Sequence, residues 1–229
     1  MRSRVVAAPP GSLLPSESEL SNEFGASRVT IRRALDLLRE DGLIAARQGF
    51  GWFVAGAPVR QHLVELGTIE AQLADSGMTN ERRVIEFAFV APPDHVRQIL
   101  DTESVLRVKR INLADGEPFA VVTVWCPAAL AGRLSKEQVE QHPFYELLDV
   151  TLRGATQTIG ADGASAEDAR LLHVPAGAPL LTCQRITMSG TGEPVLVSEH
   201  RFPAHRTEFV VDLPSAEPST MPSGLRLVE

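Results

Sequence analysis

The chain has 229 residues, 44% hydrophobic and 22% charged, with mean hydropathy near zero and a net charge of -7. That length can bury a real core in one large or two small domains, and the balance is that of a soluble globular chain rather than a fibrous or disordered one. No run of about eighteen apolar residues occurs, the opening residues lack a secretory h-region, and Cys126 and Cys183 show no metal spacing, so the expected location is the cytoplasm, with both thiols reduced.

The acidity is unevenly spread. Residues 1–56 carry seven arginines against six acids, a net +1, and the remainder holds all of the negative balance. For contact with phosphates, clustering of basic residues counts for more than the total charge.

The opening "MRSRVVAAPPGS" has Pro9 and Pro10 in its second half, and the expectation is that it makes no helix of any length. Ser16-Glu17-Ser18-Glu19 is an S-x-x-E capping box, so a helix should begin at about Glu17, with Leu20 and Phe24 on one face and Gly25 ending it. Ser27 then caps a second helix from Arg28 to about Glu40, closed by Gly42. Ile31, Ala34, Leu35 and Leu38 form its apolar stripe, and Arg28, Val29, Arg32, Arg33 and Asp36 spread over the opposite face.

Two helices joined by so tight a turn, with arginines at the start of the second, suit insertion into a DNA major groove. Arg28 and the helix N-terminus can hold phosphates, Arg32 or Arg33 can reach a guanine edge, and Val29 suits a thymine methyl. After Gly42, "LIAARQ" and "WFVAG" read as two strands joined by "GFG", a β-hairpin wing with Arg47 and Gln48 at its tip and Trp52 packed beneath. A solvated helical hairpin without a partner is the plain alternative. The combination of cap, turn, arginine helix and wing argues against it.

"VAGAPVRQ" marks a boundary, with a linker at 57–62. Helical spacing follows at Leu63, Leu66, Ile69 and Leu73. "VLRVKRINLADGEPFAVVTVWCP" reads as a hairpin turning at "ADGEP", and "LLTCQRITMSGTGEPVLVSEHRF" repeats the plan with its turn at "SGTGEP". Short helices are expected at about 94–101, 135–148 and 165–174. The result is an α+β domain on an antiparallel sheet over 63–215, followed by a C-terminal tail at 216–229.

Catalytic and cofactor signatures are missing. The six histidines are scattered, and His200 and His205, five apart on an expected strand, point to opposite faces. No P-loop, G-x-G-x-x-G or G-x-S-x-G is present, so no enzyme activity, cofactor or metal is expected.

The stretch "LPSESELSNEFGASRVTIRRAL…L…DGLI…RQGFGWFV" resembles the winged helix-turn-helix of the GntR family of bacterial transcription regulators. The resemblance implies that Ser27, Arg28, Thr30 and Arg32 lead into the groove, with Gln48 and Gly49 in the wing at the minor groove or backbone. Three departures stand out. Ser18 occupies the place of a DNA-contacting Arg in some members, Trp52 replaces the usual wing Thr, and the family's first helix has no counterpart in the opening stretch. Either the chain as given starts late, which is the reading expected, or another part covers the exposed apolar face.

"RINLADGEPFAV", "HPFYELLD", "ASAEDARLLHVPAGAPLLTCQR" and "GEPVLVSEHRF" resemble the UTRA ligand-sensing domain of the HutC subfamily, whose fold is similar to chorismate lyase. The resemblance covers most of residues 80–212 and implies a homodimer that binds a small effector and so moves its DNA heads. At the places where sugar-phosphate sensors carry an R-x-R pair, two Glu and a Tyr, this chain has Arg110, Asn112, Val122, Leu196 and Phe202. One cation in a largely apolar ring suits a monoanion with an apolar body. Equally open is that Arg110 is an exposed strand residue beside a vestigial pocket. The expected whole is a dimeric repressor on double-stranded DNA with a near-palindromic operator. An enzyme of chorismate-lyase-like fold and a sensor without DNA binding are the rivals.

Overall fold

The computed structural model describes residues 1–47, 51–56, 59–62 and 79–212. Its first element is α1 (Arg2–Ala7), a helix of 6 residues, which corrects the expectation that the opening stretch holds none. Proline disrupts the residues before it and its own i−4 bond, so Pro9 and Pro10 end this helix without preventing it. Ala8 is already extended, at φ -87 and ψ 144. Val5 of α1 is buried with Leu20, Ile31, Leu35, Leu38, Ile44 and Val54. Ion pairs Arg2–Asp41 and Arg4–Glu23 tie α1 to the other two helices. The apolar face that the sequence leaves without a partner is thus partly covered by α1.

Helix α2 (Glu17–Phe24) begins at the expected capping box: Glu19 N donates to Ser16 Oγ at 3.2 Å, and Ser16 N donates to the Glu19 carboxylate at 2.8 Å. The Ser16 hydroxyl and amide hold that carboxyl below its ordinary range. Gly25 closes α2 at φ 60, where a side chain would be strained. Phe24, expected beside Leu20, is instead 44% exposed. Helix α3 (Arg28–Glu40) follows the Ser27 cap, and strands β1 (Ile44–Arg47) and β2 (Gly51–Val54) pair antiparallel with Ile44 opposite Val54.

The segment read as a linker contributes β3 (Val59–His62). The helix expected at 63–73 and the tail at 216–229 lie outside the described residues. From residue 80 the chain runs β4 (Asn80–Val90), α4 (Asp94–Leu100), β5 (Val105–Ala114) and β6 (Glu117–Pro127). Then come α5 (Ala128–Ala131), α6 (Lys136–Gln141) and α7 (Phe144–Leu147). The second half is β7 (Leu152–Gly163), α8 (Ala166–Leu172), β8 (Pro179–Ser189) and β9 (Pro194–Pro203), closing with β10 (Thr207–Val210). The helix expected over 135–148 is broken at His142, which is extended because Pro143 follows it.

The six-stranded antiparallel sheet has the order β4-β5-β6-β9-β8-β7. A strand–helix–hairpin unit therefore occurs twice, with the two units meeting at β6 and β9. The first hairpin turns on Asp115 and Gly116, both with positive φ, as a two-residue turn matching strand twist requires. Strand β10 pairs parallel with β3.

Helices α6 and α7 cover one face of the sheet, over Val108, Val122, Val124, Leu196 and Phe202. Helices α4 and α8 cover the other, over Val105, Trp125 and Val197 and over Ile111, Leu113, Val121 and Leu180. Among the described residues no helix is long and apolar enough to cross a membrane.

Cys126 and Cys183 are buried on the α6–α7 face, and burial pushes their thiols up to about 12 and about 11. Neither should react with iodoacetamide at neutral pH in the folded chain. Intact-mass measurement should show no adduct before denaturation and two after it.

Candidate nucleic-acid interface and effector face

The candidate nucleic-acid face is built at the start of α3. Ser27 Oγ accepts from Thr30 N at 3.2 Å and bonds the Thr30 hydroxyl at 2.9 Å, so both side chains are engaged in the cap. With Ile31, Leu35 and Leu38 turned into the core, Arg28, Val29, Thr30, Arg32 and Arg33 are all exposed. Val29 is 79% exposed at the helix tip, where water disfavours it and a thymine methyl would not.

Arg32 is not loose: its Nε lies 3.2 Å from Glu17 Oε1, at the start of α2. Glu17 escapes the sequence reading, because only the fold of the turn brings the two first turns together. Arg39 is diverted from this face, pairing with Asp36 at 3.1 Å and lying 5.7 Å over the Trp52 ring. Trp52 packs at the edge of the head core, as expected of a wing Trp. Arg47 ends β1 opposite Gly51; Gln48 and Gly49 lie outside the described residues. Replacing Ser27 by Ala should cost about 1 kcal/mol of head stability. Amide exchange at the first turn of α3 should rise, while the sheet stays unchanged.

Alternation along the strands brings Arg110, Asn112, Val122, Leu196 and Phe202 to a single sheet face, the one under α6 and α7. Arg110 is 8% exposed, so it is not a solvated strand residue. Asn112 is 1% exposed, and among the described residues its Oδ1 has no hydrogen-bond partner.

The same face holds more polar groups than the sequence reading gives it. Arg185 donates to Tyr145 Oη at 3.1 Å and to Gln157 Oε1 at 2.8 Å. Ser198 and His200 bond at 3.0 Å, and the His200 ring stacks on Phe202 at 5.8 Å. A second arginine, Arg185, thus shares the face with Arg110, the one cation among the five expected positions. A signal for it exists: "RINLADGEP" and "RITMSGTGEP" set Arg185 where the first hairpin has Arg110. His205, expected on a strand with His200, lies instead in the turn after β9.

On the opposite face a pocket of about 240 Å³ is lined by Lys109, Asp162, Glu167, Asp168 and Arg201 among others. Its charges pair internally, Lys109 with Glu167 at 2.6 Å and Arg201 with Asp162 at 3.2 Å.

Comparison with known proteins agrees with this architecture. The model of bacterial regulatory proteins of the gntR family matches residues 6–54, and the UTRA domain model matches residues 75–208. The HTH-type transcriptional regulator Rv0792c of Mycobacterium tuberculosis is 33% identical, over 96% of this chain and 84% of that protein. The histidine utilization repressor of Pseudomonas putida is 34% identical over 87% and 83%. Among solved structures, PhnF from Mycobacterium smegmatis superposes with a TM-score of 0.62 over 94% of this chain and 97% of that one. At 20% identity that likeness speaks for the fold alone. With a gntR-type head at its start and a UTRA domain over more than half its length, the chain belongs to the gntR family of bacterial regulatory proteins.

Proposed function

We propose that this chain is a cytoplasmic transcription repressor of the HutC subfamily. Residues 1–56 read DNA, residues 57–62 join the two parts, and residues 63–215 bind a small effector and hold two copies together. The observation that carries the reading is the exposed start of α3, where Arg28, Val29, Arg32 and Arg33 project from a helix whose other side is buried. Relatives named as repressors, the histidine utilization repressor among them, favour repression over activation. Two heads related by a two-fold axis require a near-palindromic operator. Ser27 and Thr30 set the helix start, Arg32 and Arg33 read bases, and Arg47, Gln48 and Gly49 serve the wing.

The effector in this reading lies on the sheet face of Arg110, Asn112, Val122, Leu196 and Phe202. Arg110 pairs with Val122 on β6 and stands three strands from Arg185 on β8, so one cation beside the buried Val122, Leu196 and Phe202 favours a monoanion with an apolar body, such as a carboxylate, over a phosphosugar. Calorimetric titration tests that choice: micromolar binding of a phosphosugar that requires Arg110 would overturn it. For the wing, Arg47→Ala should weaken binding to all sequences alike and lower the salt slope by about 1. A loss confined to the preferred sequence would assign Arg47 to base reading instead.

A further inference from the structure

We infer that Arg206 is the positioning residue that fixes the DNA-reading head against the sensor sheet, and with it the spacing at which two heads meet DNA. The inference rests on the repressor reading above. Arg206 sits in the turn between β9 and β10 and is 9% exposed. Its Nη1 donates to the Pro118 carbonyl at 3.0 Å and lies 3.6 Å from the Glu117 carboxylate, both at the turn of the first hairpin. Its Nη2 donates to the Pro10 carbonyl at 3.4 Å, in the head. One planar guanidinium therefore bridges head and sensor, a geometry that a lysine's single ammonium does not reproduce.

The approach is close on the head side. Gly11 has φ +81, and a Cβ built on it would stand 2.5 Å from Arg206 Nε. Beside it, His205 Nε2 lies 3.3 Å from the Gly11 carbonyl oxygen, and the His205 ring is 5.3 Å from that of Phe53. Leu13 packs on the sensor cluster under α8. The segment held in this way is itself laced to the wing: Gly11 N donates to Val54 O, Val54 N to Ser12 O and Leu14 N to Trp52 O, all at 2.8 to 2.9 Å. Whatever holds Pro10 and Gly11 therefore holds β2.

On the sensor side, Arg206 stands where both candidate effector hairpins end. Phe202 lies four residues before it on β9, and Glu117 and Pro118 open β6 directly after the Asp115-Gly116 turn that joins the strands carrying Arg110, Asn112 and Val122. A shift in either hairpin reaches the head through this guanidinium.

The test uses the full chain as wild type, Arg206→Ala, Gly11→Ala and the double variant. Without DNA, amide exchange of residues 11–14 should rise about tenfold in each single variant, with Arg28–Glu40 and the sheet unchanged. The double variant should exchange faster than Arg206→Ala alone only by the backbone strain an Ala carries at φ +81, less than the sum of the single effects, because the added Cβ then has no guanidinium to strike. With duplexes selected from random DNA by the wild type, wild-type affinity should fall at least about tenfold when half-site spacing changes by about half a helical turn. The single variants should bind both spacings within about threefold while still preferring the selected half-site over a scrambled one. Loss of that preference would mark a merely structural defect and overturn the positioning role. Unchanged exchange at 11–14 would overturn the clamp whether or not the chain binds DNA. Should the sheet itself loosen in Arg206→Ala, Arg206→Lys, which keeps the charge and loses the fork, decides between clamp and no clamp by the same exchange measurement. Failure of the wild type to select any duplex would overturn the repressor reading and leave the exchange experiment to decide the clamp.

Discussion

Leu35→Ala is expected to abolish DNA binding on every sequence while leaving the sensor sheet intact. Leu35 is 0% exposed and sits among Val5, Leu20, Ile31, Leu38, Ile44 and Val54, so truncation removes buried contacts and opens a cavity in the middle of the head. Such a change costs about 2–5 kcal/mol. A head matched over residues 6–54 is small, and domains of that size hold only a few kcal/mol in reserve. Amide exchange over Glu17–Glu40 should therefore become fast, that over the β5–β9 strands should not, and gel shift should fail with cognate and random duplexes alike. DNA affinity within twofold of wild type would mean that this cluster does not hold α3 in place.

Arg32→Ala should leave the same exchange pattern untouched and still damage recognition. Its side chain is 69% exposed, and Glu17, 3.2 Å away, orients it across the turn between α2 and α3. An oriented guanidinium on the groove side can take two acceptors of a guanine, and its loss costs about 1–3 kcal/mol, or about 5- to 150-fold in affinity. The loss should fall on the preferred duplex and relax base choice at one position in each half-site. Equal losses on preferred and random duplexes would show that Arg32 only clamps phosphate. The two variants act on different layers of the head: one removes the scaffold, the other only the reader.

The head is legible in the sequence because its punctuation is local. Ser16 with Glu19, Ser27 with Thr30, and Gly25 each act within a turn or so of their own position, so helix limits follow from chemistry. The opening helix escapes the sequence because Pro9 and Pro10 suggest more reach than they have: they end α1 at Ala7 and leave Val5 free to pack. In the sensor, alternation reveals the two hairpins, and Asp115-Gly116 their first turn. Edge strand β7 carries "GATQTIGADG" with both faces largely exposed, so no apolar period announces it. The parallel pair of β3 and β10 joins residues about 148 positions apart and has no local signal at all.

The candidate sites divide in the same way. The exposed face of α3 follows from helical period alone. Glu17 beside Arg32 and Arg206 against Pro10 depend on how distant segments meet, which no single window of sequence contains. Arg185 lies between these cases, since the repeat of R-I with G-E-P points to it but is first noticed for its turns.

Choice of DNA by sequence through α3 is the central claim of the repressor reading. Selection of binding sites from random duplex DNA, run in parallel with wild type and Arg32→Ala, tests that most directly. The wild type should enrich a near-palindromic site, and the variant should enrich the same site with one relaxed position in each half. A wild-type pool no different from the input library would contradict sequence-specific reading by α3.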